Sequence, residues 1–291
     1  MIKHLLVTCA ALAASAAVAP AASAAPAYRE YVALGDSWAA DASIVQATAA
    51  YVPIDCAQSA HNFAKQVAAA IAVLVFRDAS CGSSETVHMT EPQRLPLGGV
   101  SPPQFDRLTP TTDLVTVGIG GNDAGLAAAI TDCVTTDPAV SPCQAKWVGG
   151  GVDSMSAAIE ATEPKVLAVL QGIRERAPRA RVLLVDYFQG VGITRGCYPT
   201  IPISDTDSVW IGRKLMELNA MLRRAAATAG AEFVDTYSTS GGHDACQPPG
   251  VRWIEGLIPM SSTPAGLAVP FHPNQLGADH QARSVLAAIG R

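Results

Sequence analysis

Short apolar runs alternate with longer stretches of helical pattern along this chain. The short runs predict buried strands at residues 31–34, 114–117, 181–185 and 232–234. The longer stretches predict helices at residues 60–75, 152–176, 207–229 and 275–289. The apolar end of 60–75 could also form a strand. Pro164 must kink or split the helix at 152–176, because proline cannot donate the backbone hydrogen bond.

Strands that alternate with helices predict an α/β domain, with a parallel sheet covered by helices on both faces. In such sheets ligands bind beyond the carboxyl ends of the strands. Two polar segments occupy that position, because residues 35–37 (Gly-Asp-Ser) follow the first strand and residues 120–123 (Gly-Gly-Asn-Asp) follow the second. The loops rich in proline and glycine lie around 92–103, 137–151, 196–206 and 239–266. We expect these loops to decorate one domain rather than to link two.

The N-terminal segment, residues 1–25, has the pattern of a secretory signal peptide. Lys3 and His4 give it a weakly basic start, an alanine-rich apolar run follows, and residues 22–24 (Ala-Ser-Ala) form a cleavage signal. The apolar run is too short for a comfortable transmembrane span, which disfavours a stable membrane anchor. We therefore expect a secreted protein with a single domain at residues 26–291, and association with the cell envelope stays open.

The charge of the chain argues against a nucleic-acid partner. The formal net charge is −5 and the basic residues are scattered, whereas nucleic-acid-binding proteins concentrate lysine and arginine on one face. The acidic balance favours solubility and says little about the substrate. We expect no nucleic-acid partner, and we treat the protein as a monomer.

Six cysteines remain once Cys9 leaves with the signal peptide. An even number in an exported chain favours disulfides over free thiols. Metal binding is the alternative, but the cysteines have no C-x-x-C spacing. The spacing leaves several connectivities open, and we choose nearest-neighbour pairing: Cys56–Cys81, Cys133–Cys143 and Cys197–Cys246.

Ser37 and Asn122 carry side chains suited to acyl transfer, which needs a nucleophile, a base and donors aimed at the developing oxyanion. Ser37 follows a strand directly, and Gly35 permits a tight turn there. Asn122 offers amide N–H groups, and the glycines before it let backbone approach a ligand closely. Each has a structural alternative, since Ser37 could cap a helix and residues 120–123 could form a turn that opens one.

His272 and Gly82 complete this set. His272 lies in Phe-His-Pro-Asn, just before the last predicted helix, where a rigid turn could hold a base. A single histidine is more often a surface or core residue. Gly82 could supply a backbone N–H and is held in place by the neighbouring Cys81.

The order Ser, Gly, Asn, His resembles the SGNH (GDSL-like) hydrolase family, and within it the secreted actinobacterial esterases and lipases. The resemblance rests on residues 31–38, 118–123, 242–246, 252–256 and 271–274. It implies a flavodoxin-like three-layer α/β/α sandwich, no metal or cofactor, and hydrolysis of carboxylic esters. It also supports the three sequential disulfides.

The resemblance implies a role for each of these residues. It makes Ser37 the nucleophile and His272 the base, and makes the Ser37 backbone N–H, Gly82 and Asn122 the oxyanion donors. The substrate would be a small-molecule or lipid ester. An acyltransferase or phospholipase using the same site stays open, as does an inactive relative that only binds lipid or glycan.

Two positions depart from the family pattern. Many relatives carry aspartate three residues before the histidine, and this chain has Val269 there. We expect the Val269 backbone carbonyl to orient His272 instead. Trp38 stands where the family name expects leucine, and it could shape the pocket or simply pack. We expect Asp36 to satisfy turn N–H groups and the His243-Asp244 pair to belong to a structural loop.

Overall fold

The computed structural model describes residues 27–257 and 260–291. The predicted signal peptide, residues 1–25, lies outside the described residues. The strands are β1 Glu30–Gly35, β2 Val75–Asp78, β3 Gln93–Arg94, β4 Val100–Ser101, β5 Leu114–Gly118, β6 Val148–Gly149, β7 Val152–Asp153, β8 Arg181–Val185, β9 Glu232–Val234, β10 Met260–Ser262 and β11 Ala265–Leu267. The α-helices are α1 Phe63–Ala70, α2 Leu126–Asp132, α3 Pro142–Trp147, α4 Ser154–Arg176, α5 Asp205–Ala229 and α6 Gln275–Ala288.

A five-stranded sheet with the order β2-β1-β5-β8-β9 forms the centre of the fold. All neighbouring strands in it are parallel. Numbered along the chain, these sheet strands have the order 2-1-3-4-5, which is the flavodoxin-like arrangement. The remaining strands form short antiparallel hairpins. The predicted α/β class with a parallel sheet is therefore confirmed.

The two faces of the sheet pack against different helices, because side chains alternate along each strand. Val32 and Leu34 of β1 face the core that α4 and α5 cover. Tyr31 and Ala33 face the core that α1 and α6 cover. This gives the expected three layers. No helix in the described part of the chain is long and apolar enough to cross a membrane.

Two local predictions needed adjustment. The helix predicted at residues 60–75 is shorter: α1 ends at Ala70 and is capped by Asn62, which accepts from Lys65 N. The edge strand β2 begins only at Val75, the last residue of that range, and runs to Asp78. The helix α4 runs through Pro164 without a break, so the split was the wrong alternative. Burial of Ile159 and Val166 on either side of the proline holds both halves of α4 on one core.

The six described cysteines form the pairs Cys56–Cys81, Cys133–Cys143 and Cys197–Cys246. The Cα–Cα distances of 4.5, 4.6 and 5.6 Å lie in the usual range for disulfides. These are the nearest-neighbour pairs that the sequence suggested. All three crosslink loops or short helices outside the central sheet, so they hold the loops that surround its carboxyl edge.

Thiol titration of the denatured, unreduced protein without residues 1–25 should find no free thiol, and reduction should lower the melting temperature. Closing loops of this length stabilises a fold by about 2–4 kcal/mol per bridge, mainly through the unfolded state. Calorimetry before and after reduction measures the shift. Two or more reactive thiols per chain would contradict the pairing.

Candidate active site

The strand order reverses its direction between β1 and β5, and such switch points are where open α/β sheets bind ligands. Gly35 pairs with Gly118 at the carboxyl ends of these two strands. The Asp36 N–H donates to the Gly118 carbonyl at 3.0 Å, which extends the pairing by one residue. The segments that carry Ser37 and Asn122 therefore leave the sheet side by side.

The turn into Ser37 depends on glycine at position 35. Gly35 has φ 142°, and a Cβ there would collide with the Gly118 carbonyl oxygen and the Ala39 Cβ. The Asp36 carboxylate accepts from the Trp38 N–H at 2.9 Å and so closes the turn. This confirms the prediction that Asp36 satisfies turn N–H groups. The Ser37 N–H has no acceptor within the described residues.

Ser37, Asn122 and His272 line one cavity of about 370 Å³. The surface of this cavity is mostly apolar. Part of its apolar wall comes from α2, α5 and the loop after β8: Leu126, Ile130, Val191, Ile211 and Leu215. The polar residues therefore lie at the sheet end of an apolar chamber. No hydrogen bond joins Ser37 to His272 in the described structure, and such bonds often tighten only in the complex with substrate.

Asn122 is held by a single hydrogen bond through its side-chain amide. The Nδ2 atom donates to the Ser84 carbonyl at 2.8 Å. Because an amide nitrogen carries two hydrogens, one stays available. Asn122 thus combines a fixed amide plane with a free donor.

The turn that carries His272 is held by backbone pairing with residues 253–255. The Glu255 N–H donates to the His272 carbonyl at 3.0 Å, and the Phe271 N–H donates to the Glu255 carbonyl at 3.1 Å. The Asn274 side chain adds a bond to the Glu255 carboxylate at 2.9 Å. Glu255 is buried and also pairs with Arg252 at 2.7 Å. These bonds fix the position of the His272 backbone, and no carboxylate bonds its ring within the described residues.

The carbonyl that orients His272 belongs to Pro270, and the expectation of Val269 was wrong. The ring Nδ1 lies 2.8 Å from the Pro270 oxygen. A backbone carbonyl extends less far from the chain than an aspartate carboxylate does. The residue that supplies the carbonyl is therefore closer to His272 in the chain than the aspartate of the relatives. Phe271, with φ 54°, turns the chain so that the carbonyl two residues before the histidine faces the ring. The hydrogen therefore lies on Nδ1, and Nε2 can accept a proton.

His272 and Asp36, which both line this cavity, have pKa values shifted in opposite directions. Burial lowers the pKa of His272 below its usual value, and the bond to the Pro270 carbonyl opposes part of that shift. Burial raises the pKa of Asp36 to about 6, although the Tyr187 hydroxyl acts in the opposite direction. At neutral pH this leaves His272 neutral and Asp36 largely ionised.

Gly82 does not agree with its predicted role as an oxyanion donor. Its N–H donates to the Cys56 carbonyl at 2.9 Å, and Gly82 does not line the cavity. A Cβ at this position would lie 2.9 Å from the same Cys56 oxygen. Gly82 is therefore explained by close packing of two loops that the Cys56–Cys81 bridge joins.

Two further residues line the cavity, Trp38 and Tyr187. The sequence left the role of Trp38 open and gave no indication of Tyr187. Trp38 lines the cavity and packs against Tyr187 and Phe188, with ring centroids 5.4 and 4.9 Å away. It thus both shapes the pocket and packs. Tyr187 gave no signal in the sequence beyond its position just after β8. His243 stacks on Trp253 outside the cavity, as expected of a structural loop.

One group of potential metal ligands occurs within the described residues: Cys133, Cys143 and Asp207. The two cysteines share a disulfide. Asp207 accepts from the backbone N–H groups of Cys143 and Gln144, at the start of α3. The group is therefore a crosslink and a helix cap, and it has no free ligand set for a metal.

A parallel sheet between two helical layers, with a pocket at its switch point, is shared by many enzyme classes, so the class of this protein has to come from its relatives. The model of the GDSL-like Lipase/Acylhydrolase family matches residues 33–280. The chain belongs to this family.

Related lipases and esterases agree with this family assignment. "Lipase 2" of Streptomyces coelicolor is 35% identical over 273 residues, which cover 90% of this chain and 86% of that protein. "Esterase" of Streptomyces scabiei is 30% identical over 241 residues, which cover 73% of this chain and 70% of that protein. These relatives make this protein an ester hydrolase of the lipase and esterase type.

Solved structures share the fold. The extracellular lipase of Streptomyces rimosus is similar with a TM-score of 0.69 and 25% identity, over 89% of this chain and 99% of that one. Phospholipase A1 of Streptomyces albidoflavus has a TM-score of 0.70 at 24% identity, over 90% and 99%. The second likeness concerns the fold alone.

Proposed function

We propose that this protein is a serine lipase or esterase that cleaves carboxylic esters with extended acyl chains through an acyl-enzyme on Ser37. One observation carries the proposal: Ser37, Asn122 and His272 line the same largely apolar cavity of about 370 Å³. Serine, histidine and an amide donor are the groups that acyl transfer needs. The apolar wall is suited to the acyl chain.

In the first step the neutral His272 Nε2 takes the proton from the Ser37 hydroxyl, and the serine oxygen attacks the ester carbonyl. The tetrahedral intermediate collapses, His272 gives its proton to the leaving alcohol, and the acyl group stays on Ser37. Water then repeats the sequence, with His272 as base, and releases the acid. The Pro270 carbonyl keeps the tautomer that this role needs, because it holds the hydrogen on Nδ1.

Two donors hold the oxyanion in this proposal. The Ser37 N–H has no acceptor in the described chain, and the Asn122 amide keeps one hydrogen free after its bond to Ser84. Both belong to turns anchored at the ends of neighbouring strands, β1 and β5. They are therefore preorganised for charge that develops only during the reaction.

We also propose that the protein is exported, with residues 1–25 removed. The supporting observations are the signal-peptide pattern of that segment and the three disulfides, which persist in oxidising compartments. The related lipase of Streptomyces rimosus is described as extracellular.

A panel of p-nitrophenyl esters from acetate to palmitate tests the proposed substrate class. The wild type should have a higher kcat/KM for octanoate and longer esters than for acetate, because each methylene buried adds about 0.8 kcal/mol of favourable transfer energy. Ala127→Phe should lower kcat/KM for the long esters by about tenfold and spare acetate, because Ala127 is an exposed residue that lines the cavity.

Ala128→Phe is the matched control, since Ala128 is an exposed neighbour on α2 that does not line the cavity. It should leave the chain-length profile unchanged. Equal losses for acetate and palmitate in Ala127→Phe, or a wild type that prefers acetate, would overturn the assignment of the cavity to an acyl chain. A fluorophosphonate probe that fails to label Ser37 would overturn the acyl-enzyme.

A further inference from the structure

The hydroxyl of Tyr187 lies between the two turns of the proposed active site. Tyr187 follows β8, the strand beside β5 in the sheet. Its oxygen accepts from the Gly121 N–H at 3.0 Å, and the hydroxyl donates to the Asp36 carboxylate. All three groups are buried.

The two partners of this hydroxyl are the residues that immediately precede Ser37 and Asn122. Asp36 comes before the serine, and its second carboxylate oxygen accepts from the Trp38 N–H just after it. Gly121 comes before the asparagine. One hydroxyl thus joins the serine turn, through the Asp36 carboxylate, to the backbone of the asparagine turn.

Tyr187 is itself held firmly, which makes it suitable as a fixed point. Its backbone N–H and carbonyl both bond the Asn219 side chain, at 3.2 and 2.7 Å. Its ring packs edge-on against Trp38. A Cβ at position 121 would lie 3.1 Å from the tyrosine oxygen, so glycine permits this close approach.

The burial of the Asp36 carboxylate favours a strong hydrogen bond from the Tyr187 hydroxyl. Asp36 is buried with no cationic partner among its hydrogen bonds, so the Tyr187 O–H and backbone N–H groups compensate its charge. Hydrogen bonds to a charged, buried acceptor are stronger than those between neutral groups. Removal of the hydroxyl would also leave the Gly121 N–H without a partner.

We propose that Tyr187 is a positioning residue, which sets the distance between Ser37 and the Asn122 donor through its bonds to Asp36 and Gly121. This inference rests on the proposed function, because it concerns the spacing of the proposed nucleophile and oxyanion donor. Tyr187 acts through its neighbours and does not exchange protons with the substrate.

Tyr187→Phe tests the inference, with Tyr31→Phe as the matched control. Tyr31 is a fully buried tyrosine of the same sheet, and its hydroxyl bonds Thr116 at 2.7 Å. Tyr187→Phe should lower kcat by about 10- to 100-fold, as small misplacements of reacting groups do, with KM within about twofold. Tyr31→Phe should lower the melting temperature and leave kcat unchanged at 25 °C. The rate of Ser37 labelling by a fluorophosphonate should follow kcat in both variants.

Asp36→Asn provides a second variant, because an amide has one acceptor oxygen where the carboxylate has two, so the Tyr187 O–H and the Trp38 N–H cannot both keep their bonds. Its loss in kcat and that of Tyr187→Phe should not add in the double variant, since both break the same link. If Tyr187→Phe does not fold, Asp36→Asn alone should show the kcat loss with unchanged KM. Wild-type kcat in a folded Tyr187→Phe, or additive losses, would overturn the positioning role. An active Ser37→Ala would instead overturn the proposed function.

Discussion

Ser37→Ala is expected to abolish ester hydrolysis, with kcat/KM lowered by at least about 10⁴-fold. The proposed acyl-enzyme forms on the serine oxygen, and the cavity offers no other nucleophile at the end of β1. Initial rates with p-nitrophenyl butyrate and octanoate, in protein free of wild-type contamination, measure the loss. Residual activity above a few per cent would mean that another nucleophile acts.

The fold should survive this substitution. The Ser37 hydroxyl makes no hydrogen bond within the described residues, so alanine removes no structural partner. Burial of a hydroxyl without a hydrogen-bond partner is unfavourable, so its removal should not lower the free energy of unfolding. An unchanged melting temperature and circular dichroism spectrum are the controls. Ser83→Ala is a matched variant, since Ser83 is an exposed serine outside the cavity, and it should keep full activity.

The central strands could be predicted because they are apolar throughout. The strands β1 and β5 are buried along their whole length, so they appear as short apolar runs between polar residues. The strand β2 at the sheet edge is partly exposed and ends in Asp78, whose carboxylate pairs with Lys65 at 2.9 Å. An edge strand of this composition resembles a loop, and the sequence suggested it only as an alternative.

Side chains in the candidate site were easier to predict than the backbone groups of Gly82 and Val269. Ser37, Asn122 and His272 carry distinctive chemistry in recognisable segments, and the structure brings them to one cavity. Every residue has a carbonyl and an N–H, so only the local dihedral angles decide which of them faces a partner. The shift of the histidine's acceptor from Val269 to Pro270 depends on the left-handed Phe271.

Long-range contacts explain the other omissions. Tyr187 and Asp36 are 151 residues apart in the chain, and neither strand end alone indicates that a hydroxyl will join them. The resemblance to the family implies a donor role for Gly82, which lies next to Cys81. The structure instead directs its N–H to Cys56, on the other side of the disulfide.

His272→Ala is expected to lose about as much activity as Ser37→Ala, because members of one catalytic unit are not additive. The double variant should therefore be little worse than either single one. Val269→Ala should keep kcat/KM within about tenfold of the wild type, a factor that corresponds to about 1.4 kcal/mol, because the ring bonds the Pro270 carbonyl and not that of Val269. Steady-state kinetics on the same two esters measure all four proteins.

The pH profile tests the state of the base. His272 must be neutral to accept the serine proton, so kcat/KM should rise with pH through one ionisation. Burial lowers the pKa of this imidazole, which places the rise below the usual pKa of histidine and keeps the enzyme active in mildly acidic solution. The Asp36 carboxyl, with a pKa of about 6, titrates nearby. In Asp36→Asn the level of activity should fall, while the rising limb should remain if His272 causes it.

Alanine substitutions of aspartates test whether a carboxylate orients the His272 ring. The His272 Nδ1 bonds a backbone carbonyl, and no carboxylate bonds the ring within the described residues. Asp279, on the following helix, bonds Gln275 instead, at 2.8 Å. Alanine at Asp244 or Asp279 should therefore leave the activity of a folded protein far above that of His272→Ala. A folded Asp→Ala variant with a loss of about 10⁴-fold, the cost of removing the aspartate from a serine triad, would show that a carboxylate completes a triad and that the Pro270 carbonyl is not sufficient.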